Sequence, residues 1–511
     1  MTKNLFRSTS IVSGITAISR ILGFLRDMLI AQLFGTIPAV DAFYIAFRIP
    51  NFMRGLFAEG AFAQAFVPVL SEYRQLKTPQ EIRAFMSHMQ GSLLFALCLL
   101  TALALIFTPY LTALFAPGWL AKDPHRFILT THLLRITFPY LLLISMTAFY
   151  ASILNTYGMF GAPSFTPVLL NLVMILSALY LAPYFAEPVE ALAWGVLIAG
   201  ISQLLFLTFF LILKKLVVLP RLLWRDDGVR KVMKLLIPAL FGVSVAQISL
   251  LLDTLFASFL PTGSISWLYY SDRLTYFPLG IFGVALATVI LPHLSQKHTD
   301  TLDEAFSKTI DWALRCVCII AIPAGVGLYL LAIPLFSALF QYGKFQAHDV
   351  IMATLSLKAY AFGLPAFMLV KVLASGFYAK QDIKTPVKIA IICLIANMML
   401  NFALIWHLKH AGLALATALS SSLNALLLCW FLIKTGRYKP QKGWWLYLFK
   451  LFMASAIICV FISIFSPSNS AWFTHPAHWK IAYLTSLLLG SVVVYLISLR
   501  VMGIRLRTFK M

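Results

Sequence analysis

The stretches SRILGFLRD (Ser19–Asp27) and DAFYIAFRIPNFMRG (Asp41–Gly55) decide how this chain folds. Each lies in a run apolar enough to cross a bilayer, yet together they hold Arg20, Arg26, Arg48 and Arg54. A third stretch, WLYYSDRLTYFP (Trp267–Pro278), adds Arg273. A charge at bilayer depth costs at least ~2.5 kcal/mol, so such residues face a water-filled cavity or a partner. Five of one sign, with fewer acids beside them, point to a cavity built for an anion.

Working outward, composition fixes the class. Hydrophobic residues make up 61% of the 511 and charged residues only 11%, with a mean hydropathy of +0.88. A span needs about 20 apolar residues. Fourteen stretches qualify: 11–34, 40–66, 91–116, 132–157, 163–186, 190–213, 232–259, 266–292, 313–338, 352–379, 386–407, 410–433, 445–466 and 479–503. The expected fold is an all-α polytopic membrane protein with fourteen transmembrane helices. Sorted by connection, 25 Lys and Arg fall on the side of the two termini. Four (Lys122, Arg126, Lys344 and Lys409) fall on the other. The positive-inside rule then places both termini in the cytoplasm. The net charge of +22 is spread over many short loops, which argues against nucleic acid as a partner. The six cysteines lie in or beside apolar spans and read as small buried hydrophobes. Lys3 and Arg7 precede an apolar run like a signal peptide, but Arg20 and Arg26 interrupt it, so the expectation is an uncleaved first helix.

The chain also repeats itself. AFVPVLSE (Ala65–Glu72) resembles VILPHLSQ (Val289–Gln296), and LRDMLIAQLFG (Leu25–Gly35) aligns with LLDTLFASFLP (Leu251–Pro261). FTPVLLNL (Phe165–Leu172) and GVLIAGIS (Gly195–Ser202) find counterparts in KTPVKIAI (Lys384–Ile391) and GLALATAL (Gly412–Leu419), in the same order. Six spans separate the copies, an even number, so the repeats run parallel about an axis along the membrane normal. The expected division is an N-lobe with its linker (1–228), a C-lobe (229–436) and two further helices (437–511). The linker KKLVVLPRLLWRDDGVRK (Lys214–Lys231) is basic and amphipathic and is expected to lie on the membrane surface. Two lobes with a charged interface are the usual build of an alternating-access transporter.

Helical spacing groups the candidate site residues. Arg20 and Asp27, seven apart, share a face of the first helix, with Arg26 about 100° round. Arg48, Asn51 and Arg54 follow at successive i,i+3 steps and form a stripe, flanked by Asp41 and Glu59. Pro50 inside that stripe should kink or break the helix. Span 8 supplies Asp272 and Arg273, and Lys371 adds a cation in span 10. The competing readings are interhelical ion pairs with Asp27, Asp41, Glu59 and Asp272, and for Lys371 a snorkelling helix-end lysine. Guanidinium forks match phosphate oxygens, so the preferred ligand is a phosphate or diphosphate. In the C-lobe, Asp253, Asn397, Asn401 and Thr417 offer hard oxygens for a small cation such as Na+; intramembrane Asn and Thr also simply bond neighbouring helices. No nucleotide loop, metalloprotease motif or nucleophile motif is present, so the chain does not read as an enzyme. With no ATP site, the driving force is an ion gradient, the membrane potential or a downhill lipid gradient.

With SRILGFLRD, DAFYIAFRIPNFMRGLFAEGAFAQAFVPVLSEY and YYSDRLTYFPLGIFGVALATVILPHLS, the chain resembles the MurJ (MviN) family of lipid II flippases. That family belongs to the multidrug/oligosaccharidyl-lipid/polysaccharide exporter superfamily. The resemblance covers essentially the whole length. It implies a V-shaped two-lobe fold of the bacterial inner membrane, in which helices 13 and 14 form a lipid-facing groove leading to the central cavity. The implied cargo is the anionic lipid II, an undecaprenyl-diphosphate-linked disaccharide-pentapeptide. It is moved to the periplasmic leaflet for peptidoglycan synthesis, cell-wall biogenesis and cell shape, with other cell-wall proteins as further partners. The family's cavity arginines fall on Arg20, Arg26, Arg54 and Arg273, supported by Asp27, Asp41 and Glu59. A Na+ site of some members falls on Asp253, Asn397, Asn401, the Leu413 backbone and Thr417. Some members carry Asp where this chain has Asn401, and a basic pair of helix 2 is Arg54-Gly55 here. No cofactor is expected beyond Na+, proton or membrane-potential coupling. Rival cargoes are another polyprenyl-diphosphate glycan or, in an antiporter, a drug exchanged for an ion.

Overall fold

The computed structural model describes residues 2–55, 62–283 and 303–504. Glu59 and the VILPHLSQ copy of the repeat lie outside the described residues. Among the described residues the chain is helical with no strand, and it forms two compact units, Met1–Gly263 and Ser264–Met511.

The first unit holds α1 (Thr2–Phe34), α2 (Pro38–Arg54), α3 (Phe62–Leu76), α4 (Pro79–Ile106), α5 (Thr108–Phe115), α6 (Pro117–Lys122) and α7 (Pro124–Thr137). It continues through α8 (Tyr140–Thr156), α9 (Gly161–Leu176), α10 (Glu190–Leu213) and α11 (Asp227–Ala257). Here α1 packs on α9, α2 on α7, and α10 spans α7, α8 and α9. The repeat places α11 at the start of the second lobe; its packing partners in this structure include α2, α3, α4 and α5 of the first unit.

The second unit holds α12 (Ser264–Pro278), α13 (Asp303–Leu330), α14 (Ala332–Leu339), α15 (Ala347–Ala379), α16 (Lys384–Lys434), α17 (Trp444–Phe465), α18 (Asn469–Thr474) and α19 (Ala477–Val501). Its core joins α13, α15 and α16 around Phe306, Val317, Leu364 and Phe377. Helix α16 is two helices joined at Lys409, whose backbone (φ 50°, ψ −130°) leaves the helical region between the expected eleventh and twelfth spans. Nine helical stretches among the described residues are long and apolar enough to cross a membrane, α16 counted once. Over their described residues the first, second and eighth spans are helical, and they carry the charges. Apolar side chains such as Leu489, Val493 and Ile497 stand on the surface of α19, as lipid rather than water would require.

Proline does not break these helices, and the reason is visible. A helical proline frees the carbonyl four residues earlier, which in hydrocarbon must be satisfied by a neighbour. Pro50 is expected to kink or break α2, and of the two a break does not occur: the helix runs through it to Arg54. The Ala46 carbonyl it frees accepts the Thr137 hydroxyl at 3.0 Å. Pro167 in α9 frees the Pro163 carbonyl, which takes the Thr166 hydroxyl at 2.9 Å. Pro323 in α13 frees the Ile319 carbonyl, which takes the Tyr495 hydroxyl of α19 at 2.7 Å.

The linker packs on α4, with residues 216–223 running beside it outside any helix. Arg221 N–H donates to the Ser87 carbonyl at 3.1 Å and the Ser87 hydroxyl to the Leu219 carbonyl at 2.5 Å. Gly91 makes this possible, since a Cβ there would sit 2.3 Å from the Arg221 carbonyl oxygen. The apolar side chains Val217, Leu219, Leu222 and Trp224 remain exposed beside Lys214, Lys215 and Arg225. That pattern suits the bilayer interface.

Candidate functional site

In the first unit the arginines separate by environment. Arg20 is exposed on α1, whereas Asp27, expected on the same face, is 1% exposed. Arg26 is 6% exposed and is the residue that meets Asp27. Its Nε and Nη2 donate to Asp27 Oδ1 at 3.0 and 2.7 Å, while Nη1 donates to Asn171 Oδ1 of α9 at 3.0 Å. Asn171 in turn donates to the Ser19 carbonyl at 3.0 Å. The Arg26 fork is thus engaged by protein groups that lock α1 to α9, a buried pair instead of an open cavity cation.

Asp41, in the first turn of α2, is also a structural acceptor: its Oδ2 takes the Gly263 N–H at 2.7 Å. Gly263 has φ +90°, a conformation that glycine alone adopts without strain. The expected stripe on α2 is present, with Arg54 Nε donating to Asn51 Oδ1 at 2.8 Å. Arg48 Nη1 reaches the Thr254 hydroxyl on α11 at 2.5 Å, next to Asp253. Arg48, Asn51 and Arg54 are all half-buried.

The second unit holds Asp272 and Arg273, both half-buried on α12. Arg273 Nη2 donates to the Tyr269 hydroxyl at 2.9 Å, and its guanidinium carbon lies 4.7 Å from that ring's centre. Lys371 is exposed on α15.

Asn397, Asn401, Thr417 and the Leu413 carbonyl come together in the second unit. Asn401 Nδ2 donates to Asn397 Oδ1 at 3.1 Å, Asn397 Nδ2 to Thr417 Oγ1 at 3.5 Å, and Thr417 to the Leu413 carbonyl at 3.0 Å. All four groups are neutral, and bonds of this kind tie neighbouring helices together inside a membrane. Asp253, on α11 of the first unit, lies next to the Thr254 that Arg48 contacts.

Two features add detail that the sequence does not give. The first is a cavity of about 950 Å³ in the second unit, walled by α13, α15, the C-terminal half of α16 and α17. Leu314, Ile322, Val326, Leu369, Leu426 and Phe452 line it, and Lys442 is the charged residue on its rim. The second is Asp311 of α13, 3% exposed, which gathers the 438–444 connection. Burial, together with its bond to the Asp311 carboxylate, pushes the Tyr438 phenol well above its ordinary pKa. An Asp–Arg i,i+4 pair, Asp311 and Arg315, was the signal available in the sequence.

Among the described residues the chain is all-helical, with nine helices long and apolar enough to cross a membrane and with buried arginine, which defines a polytopic membrane protein. Solved multidrug transporters of the MATE type share this fold, one in an inward-facing conformation at a TM-score of 0.68 with 13% identity, covering 83% of this chain and 98% of that one. A solved structure titled "Lipid II flippase MurJ, inward closed conformation" matches at a TM-score of 0.80 and 28% identity, covering 95% of this chain and 97% of that one. The family model described as "Lipid II flippase MurJ" matches residues 30–483. A probable lipid II flippase MurJ of Vibrio cholerae is 45% identical, covering 100% of this chain and 98% of the relative. That of Haemophilus influenzae is 44% identical over 96% and 98%. The lipid II flippase MurJ of Burkholderia cenocepacia is 41% identical over 99% of each. The chain belongs to the lipid II flippase MurJ family. It is therefore a multi-pass transporter of the bacterial inner membrane and not an enzyme.

Proposed function

We propose that this protein flips lipid II from the cytoplasmic to the periplasmic leaflet by alternating access. The observation that carries the reading is the set of arginines on α1, α2 and α12, in a chain matched along its length by lipid II flippases. Arg20, Arg48 and Arg54 of the first unit, and Arg273 of the second, are each candidates for the diphosphate, whose oxygens suit planar guanidinium forks. Arg26, Asp27 and Asp41 hold the helices that present them. The undecaprenyl chain lies in the apolar cavity of the second unit, which the first C-terminal helix helps to wall. The excess of Lys and Arg on one side supports cytoplasmic termini. That orientation has an energetic consequence. Each negative charge carried outward gains about 2.3 kcal/mol per 100 mV of inside-negative potential, so a diphosphate can be driven without a resident ion. In proteoliposomes carrying labelled lipid II, an imposed inside-negative potential should accelerate outward flipping. Equal rates in protein-containing and protein-free vesicles would overturn the reading.

A further inference from the structure

Asp311 does more than fill a core. Its Oδ1 accepts the Tyr438 hydroxyl at 2.7 Å, Trp444 Nε1 at 2.7 Å and the Gln441 N–H at 3.0 Å, while Oδ2 accepts Arg315 Nε at 2.7 Å. A carboxylate has about four acceptor sites, and these partners use the whole complement. Three of the four come from one short connection between α16 and α17. Arg315 extends the clamp: its guanidinium sits 4.9 Å from the Trp444 ring and 5.2 Å from that of Tyr447, and Nη2 donates to the Lys442 carbonyl at 3.3 Å. Ser307, one turn before Asp311, accepts the Lys439 N–H at 2.8 Å and returns its hydroxyl to the Lys439 carbonyl at 3.1 Å. Gly443, at φ +90°, then turns the chain into α17.

The same connection is the rim of the apolar cavity: Tyr438, Gln441, Lys442, Trp444 and Trp445 all line it. Lining side chains such as Phe362, Leu426 and Phe452 are also exposed, so the cavity opens to the surface of the unit. Its walls are hydrocarbon and aromatic, which selects an aliphatic chain. We propose that Asp311 is a positioning residue for transport: by fixing the 438–444 connection, it keeps the mouth of the groove formed for the substrate's polyprenyl chain. The inference rests on the reading that this groove takes that chain. A preformed mouth spares the cost of ordering a loop each time a chain enters.

The test compares two ligands on the purified full-length protein in detergent micelles: lipid II with its 55-carbon chain, and an analogue with a 15-carbon farnesyl chain. Burial of added methylenes is favourable, so the parent protein should prefer the long chain by about tenfold or more. Asp311→Ala should bring that preference within about threefold and leave farnesyl-analogue affinity unchanged. Trp444→Phe, which removes one donor and keeps the ring beside Arg315, should fall between the two. Equal weakening toward both ligands would make Asp311 merely structural and overturn the inference, as would an unchanged preference in Asp311→Ala. No preference in the parent protein would overturn the groove reading itself, while farnesyl-analogue binding still reports on the headgroup site. Loss of the parent's preference on adding phospholipid would assign the groove to a phospholipid and overturn the inference too.

Discussion

The arginine-bearing helices of the first unit and the apolar groove of the second solve opposite problems. On α1 and α2, charge is placed where it is costly: Arg26 is held by Asp27 and Asn171, and Arg48 and Arg54 are half-buried against Thr254 and Asn51. In the groove, one buried carboxylate is spent on a loop so that the walls can be hydrocarbon. The difference teaches that burial, more than residue type, separates a structural arginine from a ligand-binding one. Arg26 and Arg54 look alike in sequence, yet Arg26 is buried against Asp27 whereas Arg54 is half-buried.

The sharpest way to break that contrast is to remove each arginine. Arg54→Ala and Arg273→Ala should abolish complementation of flippase-depleted cells while the protein stays in the membrane at parental levels. Arg26→Ala should instead deplete the protein itself, because it removes the guanidinium that donates twice to the buried Asp27 carboxylate, a loss of about 3–5 kcal/mol. Adding Asp27→Asn to Arg26→Ala should restore part of the level on immunoblots of membranes. Recovery of activity without recovery of protein would contradict the assignment.

On the groove side, Val326→Trp fills the cavity without touching a charge. Long-chain lipid II affinity should fall about tenfold, ~1.4 kcal/mol, with the farnesyl analogue spared. A smaller effect is expected where α19 docks on α13. Tyr495→Phe leaves the Ile319 carbonyl unsatisfied and should cost about 1 kcal/mol in thermal stability. In a Pro323→Ala background that cost should shrink, because the helix recovers its own donor; a double-mutant cycle measures the coupling. The smallest effect concerns ions. Exchanging Na+ for K+ should leave flipping in vesicles unchanged, since Asn397, Asn401 and Thr417 bond one another. A Na+-dependent rate would reopen that site.

Much of this was legible in the residues. The hydropathy pattern foretells the helices of both units, and the i,i+3 spacing foretells the Asn51–Arg54 bond. Other features were not legible, for physical reasons. The Arg26–Asn171 contact joins residues 145 positions apart, and nothing local marks it beyond a lone Asn in an apolar run. Pro50 alone predicts a break, because the remedy, Thr137, sits on another helix. Asn397, Asn401 and Thr417 read equally as ligands or as a network, and their spacing along the chain does not foretell the bonds they make to one another. Asp311 was overlooked since three of its partners belong to a loop that has no periodic signature.

One measurement bears most directly on the central claim: leaflet-resolved labelling of lipid II in cells depleted of their own flippase and supplied with this chain. The account predicts that lipid II reaches the periplasmic leaflet with the parent protein and remains cytoplasmic with Arg54→Ala or Arg273→Ala at equal membrane levels. Periplasmic lipid II appearing undiminished with those variants, or failing to appear with the parent, would contradict it.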